Sequence, residues 1–559
     1  MAPLRIWLVY PPFLDPRLDP EDIRHPPIGI YYVAAAVQAH GHAVEILNRH
    51  EQAAPEVWER ELRAGRPQVI GFSILHANRW GGIDMARAAK RVDPAVTVVC
   101  GGVGATHLWE HLLGEVPEID YIVLGEGEES FAALLECLAR GDAAAAGSIP
   151  GLALRVNGRP AGTRNPRPIC EPDALPMPAR GFDMAHLALT RGCVSACAFC
   201  GSPAFWGRRV RSHSAAYFVE QMAHLRGRGR RFVHVSDDTF TLDRKRVIEA
   251  CRMIVEREIG MGWAAISRAD AVDEEVLAWM RRAGCIQISY GVESGSAEIR
   301  RRLNKRLSVA RVRKAFELTQ RYGIMARAYF IYGCPGESDA TIDETIALMR
   351  SIRPLAAVFY ILDIFPGTAL YADFKRRCNV TDDIWRTQVE DIMYFQTDPA
   401  LSADRVLAWG RRLRAEFYLR LPEFAAALDP VDDPGFRPLH ADFFSRLALT
   451  FDRGDYARVD AIPGKEPLAE ALYRRALGYH PDRRAFLGLG MLLQRNRRYA
   501  ESAAPLREGV DRHPDDAELA VCFAVTLLNL GRAAEARRLL RRFPEHPGAR
   551  ELARSAGMH

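Results

Sequence analysis

The chain of 559 residues is 48% hydrophobic and 26% charged, a length and composition that allow three or four domains with ordinary globular cores. Its net charge is only +5, because 75 basic residues are interleaved with 70 acidic ones, and no nucleic-acid partner is indicated. Eleven cysteines scattered over this length favour reduced thiols or metal ligands over disulfides.

The N-terminus, MAPLRIWLVYPPF, has one short apolar run that stops at Pro11 and Pro12. The run is too short to span a membrane and lacks a signal-peptide cleavage pattern. We therefore expect a cytoplasmic protein without a membrane span.

Residues 1–145 alternate short β-rich runs with amphipathic helical stretches. The runs are RIWLVY, AVEIL, VIGFSIL, TVVCGG and YIVLGEGE. This rhythm predicts a doubly wound, Rossmann-like α/β domain with a parallel sheet. Ligands of such sheets lie at the carboxyl ends of the strands, near the point where the strand order reverses. Small residues after the third and fourth runs leave room there for a bulky ligand.

The third run ends in Ser73-Ile74-Leu75 and the fourth in Gly101-Gly102. In this pattern the chain resembles the cobalamin-binding domain family, in which a Ser-x-Leu and a Gly-Gly pair line the slot for the nucleotide tail. A side chain at Gly102 is then expected to point into that slot. The resemblance implies a cobalamin site formed by Ser73, Ile74, Leu75, His76, Gly101, Gly102, Gly104, Ala105, Thr106, Gly125 and Glu126.

The family's best-known form carries its lower cobalt ligand in an Asp-x-His-x-x-Gly loop after the first strand. Asp22 and His25 do not have this spacing. The sequence therefore predicts a lower cobalt face that is empty or holds water, with His25 and His76 as the alternative ligands. Tight βα turns without any ligand are the alternative interpretation of Ser73 and the glycines.

Residues 146–180 differ in composition from both neighbouring regions. The stretch LALRVNGRPAG predicts a β-hairpin turning at Asn157-Gly158, and the Pro-rich stretch EPDALPMPAR follows it. We interpret this segment as a linker.

Six strand-like runs follow in residues 181–385, each with a helical stretch after it except the last. They are HLALT, RFVHVSDD, GWAAISRAD, CIQISYGVES, ARAYFIYGCPG and VFYILDIFPGT. Six such repeats predict a partial, TIM-type (β/α)6 barrel, with its chemistry at the carboxyl ends of the strands. Three cysteines come directly after the first run.

Cys193, Cys197 and Cys200 stand in RGCVSACAFCGSP. A 4Fe–4S cluster has four irons to ligate, so three thiolates leave one iron open for a substrate or cofactor. The Cys-x-x-x-Cys-x-aromatic-Cys pattern resembles the radical S-adenosylmethionine (SAM) family, which implies reductive cleavage of SAM at the open iron. A zinc site or incidental cysteines are the alternatives, and no fourth Cys or nearby His completes a tetrahedron.

The resemblance also implies which residues contact SAM. Phe199 would pack near the adenine, and the acidic segment after the second run would meet the methionine amino group. Ser267 and Arg268, at the end of the third run, would reach the carboxylate or ribose of SAM. The fourth run resembles the family's adenine-supporting strand. The fifth run ends in Gly333, which allows close backbone approach. Each polar group could instead be a solvated loop residue. The implied contacts are Phe199, Ser236, Asp237, Ser267, Arg268, Gly291, Glu293 and Gly333.

Residues 386–460 have a helical pattern, and residues 461–559 repeat. His480-Pro481-Asp482 recurs as His513-Pro514-Asp515, a period of 33. Helix pairs at this period resemble tetratricopeptide repeats and predict an all-α region for a protein partner or self-association. An ordinary helical tail is the alternative.

Taken together, the resemblances imply a cobalamin-dependent radical SAM enzyme that transfers a methyl group to an unactivated carbon of a small molecule or peptide. An electron donor such as flavodoxin or ferredoxin is implied as a partner. Radical cyclisation or rearrangement with the same cofactors is one alternative. An interaction protein with a vestigial barrel is the other, although the cysteine triad is intact. The sequence names no substrate.

Overall fold

The computed structural model describes residues 3–14, 25–50, 54–164, 168–388 and 391–555. Asp22, part of the motif considered for a cobalt ligand, lies outside the described residues. The first region contains β1 (Arg5–Tyr10), α1 (Ile28–Ala39), β2 (Ala43–Asn48), α2 (Pro55–Gly65), β3 (Val69–Ser73), α3 (Arg79–Val92), β4 (Thr97–Gly101), α4 (Val103–His107), α5 (Trp109–Glu115), β5 (Tyr121–Val123), α6 (Glu128–Ala139), β6 (Leu152–Val156) and β7 (Arg159–Gly162).

These strands form one sheet in the order β2-β1-β3-β4-β5-β6-β7, in which the first five strands are parallel. The apolar run of β1 is buried over five of its six residues, as expected for a strand covered on both faces. The helices pack in two groups, α1 with α6 and α2 with α3. Strand order reverses between β1 and β3, so their carboxyl ends mark the expected ligand position.

The predicted hairpin is present and belongs to this first sheet. β6 pairs antiparallel with β5, and β7 with β6. Asn157 and Gly158 both have positive φ, 52° and 75°, which is the geometry of a tight hairpin turn that matches the twist of the strands. The segment interpreted as a linker therefore begins inside the first sheet.

The second region contains α7 (Pro178–Gly181), β8 (His186–Leu187), β9 (Thr190–Arg191), α8 (Ser202–Trp206), β10 (Arg211–Ser212), α9 (Ala215–Gly227), β11 (Phe232–Val235), α10 (Arg244–Glu256), β12 (Gly262–Ser267), α11 (Glu274–Arg282), β13 (Cys285–Glu293), α12 (Ala297–Arg302), α13 (Val309–Arg321), β14 (Met325–Tyr332), α14 (Asp339–Ile352), β15 (Ala356–Ile361), β16 (Asp363–Ile364), α15 (Ala369–Cys378) and β17 (Ile392–Met393). Six strands form a second sheet, β15-β14-β13-β12-β11-β8, with every neighbouring pair parallel. The six predicted runs are thus neighbours in chain order. β8 and β15 are the edges of this sheet.

The first predicted run of the second sheet is shortened to His186–Leu187. The chain leaves the sheet there, and Thr190–Arg191 pairs antiparallel with Arg211–Ser212 instead. The cysteine loop therefore starts from a small two-stranded ribbon beside the sheet.

The last region is helical: α16 (Ala403–Ala426), α17 (Arg437–Asp452), α18 (Lys465–Tyr479), α19 (Arg483–Arg495), α20 (Tyr499–Arg512), α21 (Ala517–Asn529), α22 (Ala533–Leu540) and α23 (Pro547–Ser555). The helices α19 and α21, which follow the two His-Pro-Asp segments, begin at Arg483 and Ala517, one residue further apart than the predicted period. A boundary at 461 separates α17 from α18, which pack closely on each other. In the part of the chain that the structure describes, no helix is long and apolar enough to cross a membrane.

The helical region is anchored on the second sheet's domain. The Tyr456 hydroxyl donates to the carbonyl of Leu355 over 2.6 Å, and Arg281 forms an ion pair with Asp442 over 2.8 Å. The ion pair lowers the pKa of Asp442, although burial alone would raise it. The first helices of this region therefore pack on the second sheet's domain.

Candidate functional site

The carboxyl ends of both sheets open into one cavity of about 1090 Å³. The first sheet contributes the loops after β3, β4 and β5, and the second contributes the cysteine loop and the ends of β11, β14 and β15. Apolar groups form most of the wall, with a few polar side chains among them. A cavity of this size and composition suits large organic ligands.

The loops after β3 and β4 are joined by backbone hydrogen bonds. The amide of Ile74 donates to Gly101 over 2.8 Å, and the amide of Gly104 donates to Ile74 over 3.0 Å. Gly102 has φ +94°, and a Cβ atom there would lie 2.7 Å from the carbonyl oxygen of Ile74. A Cβ atom on Gly104 would lie 2.6 Å from the carbonyl carbon of Leu75. The space beside Gly102 is thus occupied by the neighbouring loop, which corrects the expectation that a side chain there would point into the ligand slot.

The predicted cobalamin contacts separate into two groups. Ile74 and Ala105 are buried in the core, 2% and 0% exposed, and Thr106 accepts a hydrogen bond from the amide of Gly125 over 3.0 Å. These three do not line the cavity. The predicted contacts that do line it are Ser73, Leu75, His76, Gly101, Gly102, Gly104, Gly125 and Glu126. The backbone-built wall fits a large ligand that needs close approach of main-chain atoms.

His76 is the buried imidazole of this wall. Its ring meets Trp385 edge-on at 4.2 Å, and Nε2 lies 3.4 Å from Asp391 and 3.3 Å from an Arg79 nitrogen. Burial, aided by Arg79, holds the pKa of His76 well below its usual value, so the ring is neutral. His25 lies against the second sheet instead. Of the two histidines considered as cobalt ligands, His76 is the one on the first sheet's wall.

A buried ion-pair network joins the first sheet to the cysteine loop. Arg191 donates to Glu126 and Glu128 over 2.7 Å each, and Arg211 also binds Glu126. All four side chains are at most 6% exposed. Trp206 adds cation–π contacts to both arginines. Glu126, expected as a cofactor contact, therefore uses its oxygens to hold the strand that leads into the cysteines.

The three cysteines remain free thiols on one loop, with Cys193 buried and the other two half-buried. Burial raises the pKa of Cys200 to about 11 and also raises that of Cys197. No three His, Cys, Asp or Glu side chains within the described ranges converge as they would around a single metal ion. Three soft thiol donors on separate positions fit a cluster, in which each thiolate takes a different iron.

Backbone contacts hold the cysteine loop in place. The amide of Ala198 donates to Leu303, and that of Leu370 donates to Ala198, over 2.9 Å each. The Asn304 side chain donates to the carbonyl of Ala196 over 2.6 Å. Asn304 has φ +51°, a left-handed conformation that asparagine tolerates well. Sequence reasoning missed Asn304, whose position in a turn between two helices was its only signal.

Arg268 lies next to the cysteine loop. It binds the Ser195 hydroxyl, and two of its nitrogens donate to Asp270 over 2.9 and 2.7 Å. The hydrogen bonds from Arg268 lower the pKa of Asp270, against the effect of burial. The Arg268 guanidinium therefore stabilises the cysteine loop through Ser195. Arg268 does not line the cavity.

Glu293 and Lys305 form a buried ion pair of 2.8 Å beside Cys197. Lys305 lowers the pKa of that thiol, opposing the larger effect of burial. A Cβ atom on Gly291 would lie 2.5 Å from the Glu293 carboxylate, so glycine makes room for the pair. Glu293 and Gly291 were predicted as SAM contacts. Lys305 was not predicted, because only the folded structure shows that it pairs with Glu293.

Asp237 and Asp238, adjacent in sequence, have different positions. Asp237 is 1% exposed and accepts hydrogen bonds from the amides of Leu189 and Thr190 over 2.8 Å each. Burial raises the pKa of Asp237 to about 7. Asp238 and Ser236 line the cavity. The structure thus places Asp238, and not the predicted Asp237, at the cavity wall.

Ser267 and Gly333 also lie outside the cavity wall. Ser267 is buried and hydrogen-bonded to Thr241. Gly333 has φ +76°, and its amide and that of Cys334 donate to the buried carboxyl of Glu337. Burial raises the pKa of Glu337 to about 7. Phe199 does line the cavity, beside the last cysteine.

Two family models match the chain over separate ranges. The B12 binding domain matches residues 23–135, and the radical SAM superfamily matches residues 187–349. The first range covers the loops after β3 and β4, and the second begins in β8, just before the cysteine loop.

Comparisons with single proteins and solved structures give similarities over most of the chain. An uncharacterized methyltransferase of Pyrococcus horikoshii is 28% identical over 438 residues, 75% of this chain and 94% of the relative. The anaerobic magnesium-protoporphyrin IX monomethyl ester cyclase of Rubrivivax gelatinosus is 26% identical over 380 residues, 64% of this chain and 68% of the relative. The fold resembles the radical SAM methyltransferase TsrM of Kitasatospora setae, with TM-score 0.62 and 17% identity over 85% of this chain and all of that chain.

Proposed function

We propose that this chain, whose B12-binding and radical SAM domains give it cobalamin, SAM and a 4Fe–4S cluster as cofactors, transfers a methyl group to an unactivated carbon of a small molecule or peptide. The single observation that carries the proposal is the shared cavity, which the carboxyl ends of both sheets border. A methyl carrier on the first sheet would then face a substrate on the second without a further transport step.

The bound cofactors supply the radical and methyl-transfer chemistry, and the protein supplies positions for them. Cys193, Cys197 and Cys200 would hold the cluster. Phe199 and Ser236 border the part of the cavity next to this loop, where SAM would lie. The glycine-built wall after β3 and β4 would hold the tail of cobalamin.

The Glu126–Arg191 pair has a positioning role in this proposal. Arg191 stands two residues before Cys193, and Glu126 lies on the cavity wall of the first sheet. Holding both ends of the cavity in one network keeps the separation between the two cofactor positions constant, which group transfer requires.

An electron donor is required, because radical SAM enzymes need one. A flavodoxin or ferredoxin is our proposal for that partner. Self-association or protein binding through the C-terminal helices is likewise a proposal.

The test uses anaerobically reconstituted protein and SAM with a trideuterated methyl group. Incubated with a metabolite extract, the enzyme should give a product in which CD3 replaces one hydrogen, identified by mass spectrometry. Formation of 5′-deoxyadenosine by the same sample reports whether SAM cleavage occurs at all. Absence of cleavage by protein with a full iron content would overturn the enzyme assignment.

A second function is supported by the similarity to the protoporphyrin ester cyclase. Cyclisation or rearrangement would use the same cofactors and leave no deuterium from the SAM methyl group in the product. An unlabelled product that has lost two hydrogens would therefore favour the cyclase.

A further inference from the structure

The face of the second sheet that lies opposite its helices carries basic side chains. In β14 the residues alternate, with Ala326, Ala328 and Phe330 fully buried. Phe330 stacks on Phe359, which meets a phenylalanine of α16, so this set faces the helices. Arg327 and its alternate neighbours therefore occupy the inner face, where Ile331 lines the cavity.

Two histidines share this inner face on β8 and β11. Val233 and Val235 are buried, so His234 points the other way, together with Ser236, which lines the cavity. The His186 ring stacks against His234 at 5.4 Å, and its Nδ1 is 2.7 Å from the Ser236 hydroxyl. The His186 imidazole is thus one hydrogen bond away from the wall of the cavity, and His234 stacks on it.

Arg327, on β14, is the third basic residue of this inner face. Arg327 pairs with Ser289 of β13, which pairs with Ile266 of β12, and His234 pairs with Ala264 of the same strand, so the register puts Arg327 and His234 on one face of the sheet. Arg327 also lowers the pKa of His234, after the larger effect of burial. The Nε of Arg327 is buried without a hydrogen-bond partner, and no salt bridge of Arg327 occurs among the described residues.

Among the described residues, the groups that lower the pKa values of the two imidazoles are basic. Burial is the first cause of the lowered pKa of His186, about 4, and the neighbouring His234, His25 and Arg230 lower it further. Arg230 forms an ion pair with Asp183, whose side chain is exposed. Arg327 is half-buried, and no such ion pair of Arg327 is found among the described residues.

Apolar side chains border this basic group on the same face. Ile266 at the end of β12 is 38% exposed and Tyr360 on β15 is 49% exposed, although both stand on strands of the sheet. Tyr329 lies next to Tyr360, with ring centroids 6.0 Å apart. These side chains could contact the apolar part of a ligand whose anionic group binds the basic residues.

We propose that His186, His234 and Arg327 bind an anionic group of the substrate, a carboxylate or a phosphoryl group, while Ile266, Tyr329 and Tyr360 contact its apolar part. The inference rests on the proposed function, since it places the substrate below the cavity shared by the two cofactors. A metal ion bound by the histidines is not supported, because no group of three possible ligands is found in the described residues.

The test uses reconstituted full-length protein with SAM and four labelled probes of similar size. Benzoate and phenylphosphonate carry the two candidate anions, benzamide is neutral and benzylamine is cationic. Equilibrium dialysis should show binding of one or both anions and at least tenfold weaker binding of the neutral and cationic probes. The preferred anion identifies the substrate group. Equal binding of benzamide and both anions would overturn the proposal.

Two variants locate the binding. Arg327→Gln should weaken binding of the preferred anion roughly tenfold, the loss expected when a hydrogen bond to a charged group is removed. His234→Gln, at an exposed position, should also weaken it and serves if the first variant is poorly folded. Arg376→Gln, whose side chain is 72% exposed on α15, is the matched control and should bind like the wild type.

Unchanged anion binding in both Arg327→Gln and His234→Gln would show that the probe binds elsewhere and would overturn the proposal. Probe binding does not require turnover. Selective anion binding without any methylated product would therefore contradict the proposed function alone, whereas methylation without anion selectivity would contradict this inference alone.

Discussion

The two sides of the shared cavity, at the carboxyl ends of the two sheets, are stabilised by different kinds of interaction. After β3 and β4 the wall is backbone, and Gly102 and Gly104 allow two loops to join through main-chain hydrogen bonds. Around the cysteine loop, buried ion pairs such as Glu293 with Lys305 are added to the backbone contacts of Ala198. A wall made of backbone depends on small residues, whereas a wall made of ion pairs depends on every partner being present.

This difference has consequences for mutation. A change at a glycine distorts a loop locally. Removal of one member of a buried ion pair leaves the remaining charge without a partner, which destabilises by about 3–5 kcal/mol. The predictions below test this contrast, beginning with the cluster itself.

The largest effect is expected at the cysteine loop. Cys197→Ala should abolish SAM cleavage, because it removes one of three thiol donors, and the first sheet should remain folded. The measurement is 5′-deoxyadenosine formation after anaerobic reconstitution, with iron content determined in parallel. Cys378→Ala, at an exposed thiol outside the cysteine loop, is the control. Near-normal cleavage by Cys197→Ala would mean that other residues are the ligands.

The ion-pair wall is tested by Arg191→Met. The variant removes the arginine that pairs with the buried Glu128 and leaves Glu126 with Arg211 as its arginine partner, and it should lower the free energy of unfolding by about 3 kcal/mol. Urea unfolding measures this change. The exposed Arg376→Met should change stability by less than about 0.5 kcal/mol. If both variants lose equally little, the network is not a structural support.

The backbone wall is tested by Gly102→Leu. Its side chain would meet the carbonyl of Ile74 at a positive φ, so the two loops should separate and cobalamin retention after gel filtration should fall. The cluster spectrum should not change. Gly147→Leu is the control, because nothing lies within 4 Å of a Cβ atom there. Retention equal to wild type in Gly102→Leu would remove the cobalamin site from this wall.

A smaller, pH-dependent effect is expected from Glu337, a side chain that binds backbone amides in the second region. Burial raises its pKa to about 7, so the unfolded chain loses this proton at lower pH than the folded one. The wild type therefore loses stability from this group as pH rises toward 7. Glu337→Gln lacks the effect, and its Tm relative to wild type should rise between pH 5 and pH 8 by the equivalent of roughly 2 kcal/mol. A pH-independent difference would contradict the assignment.

The smallest effect is expected from removing residues 514–559, which contain α21 to α23. These helices belong to a hydrophobic cluster separate from the main core. The truncated protein should retain both cofactor spectra, in contrast to a deletion from residue 461, which would leave α17 without α18. Loss of either cofactor from the shorter protein would show that the last helices support the cavity.

Local spacing was enough to predict much of this molecule. The strand runs of both sheets, the Asn157-Gly158 turn and the cysteine loop could be predicted because each depends on residues close in sequence. Periodicity, turn chemistry and thiol spacing are local properties of the chain. The cofactors followed from these elements through family resemblance, and the comparisons confirm them.

Only the tertiary structure decided which charged groups meet. Glu126 and Arg191, for example, are 65 residues apart in the sequence and form a buried ion pair. Asp237 and Asp238 are indistinguishable by composition, yet one is satisfied by backbone amides in the core and the other faces the cavity. Ion pairs and interior faces form through strand order and loop contacts, which bring distant residues together. The physical reason is that a charge finds its partner in space, and only the completed fold defines which groups are neighbours.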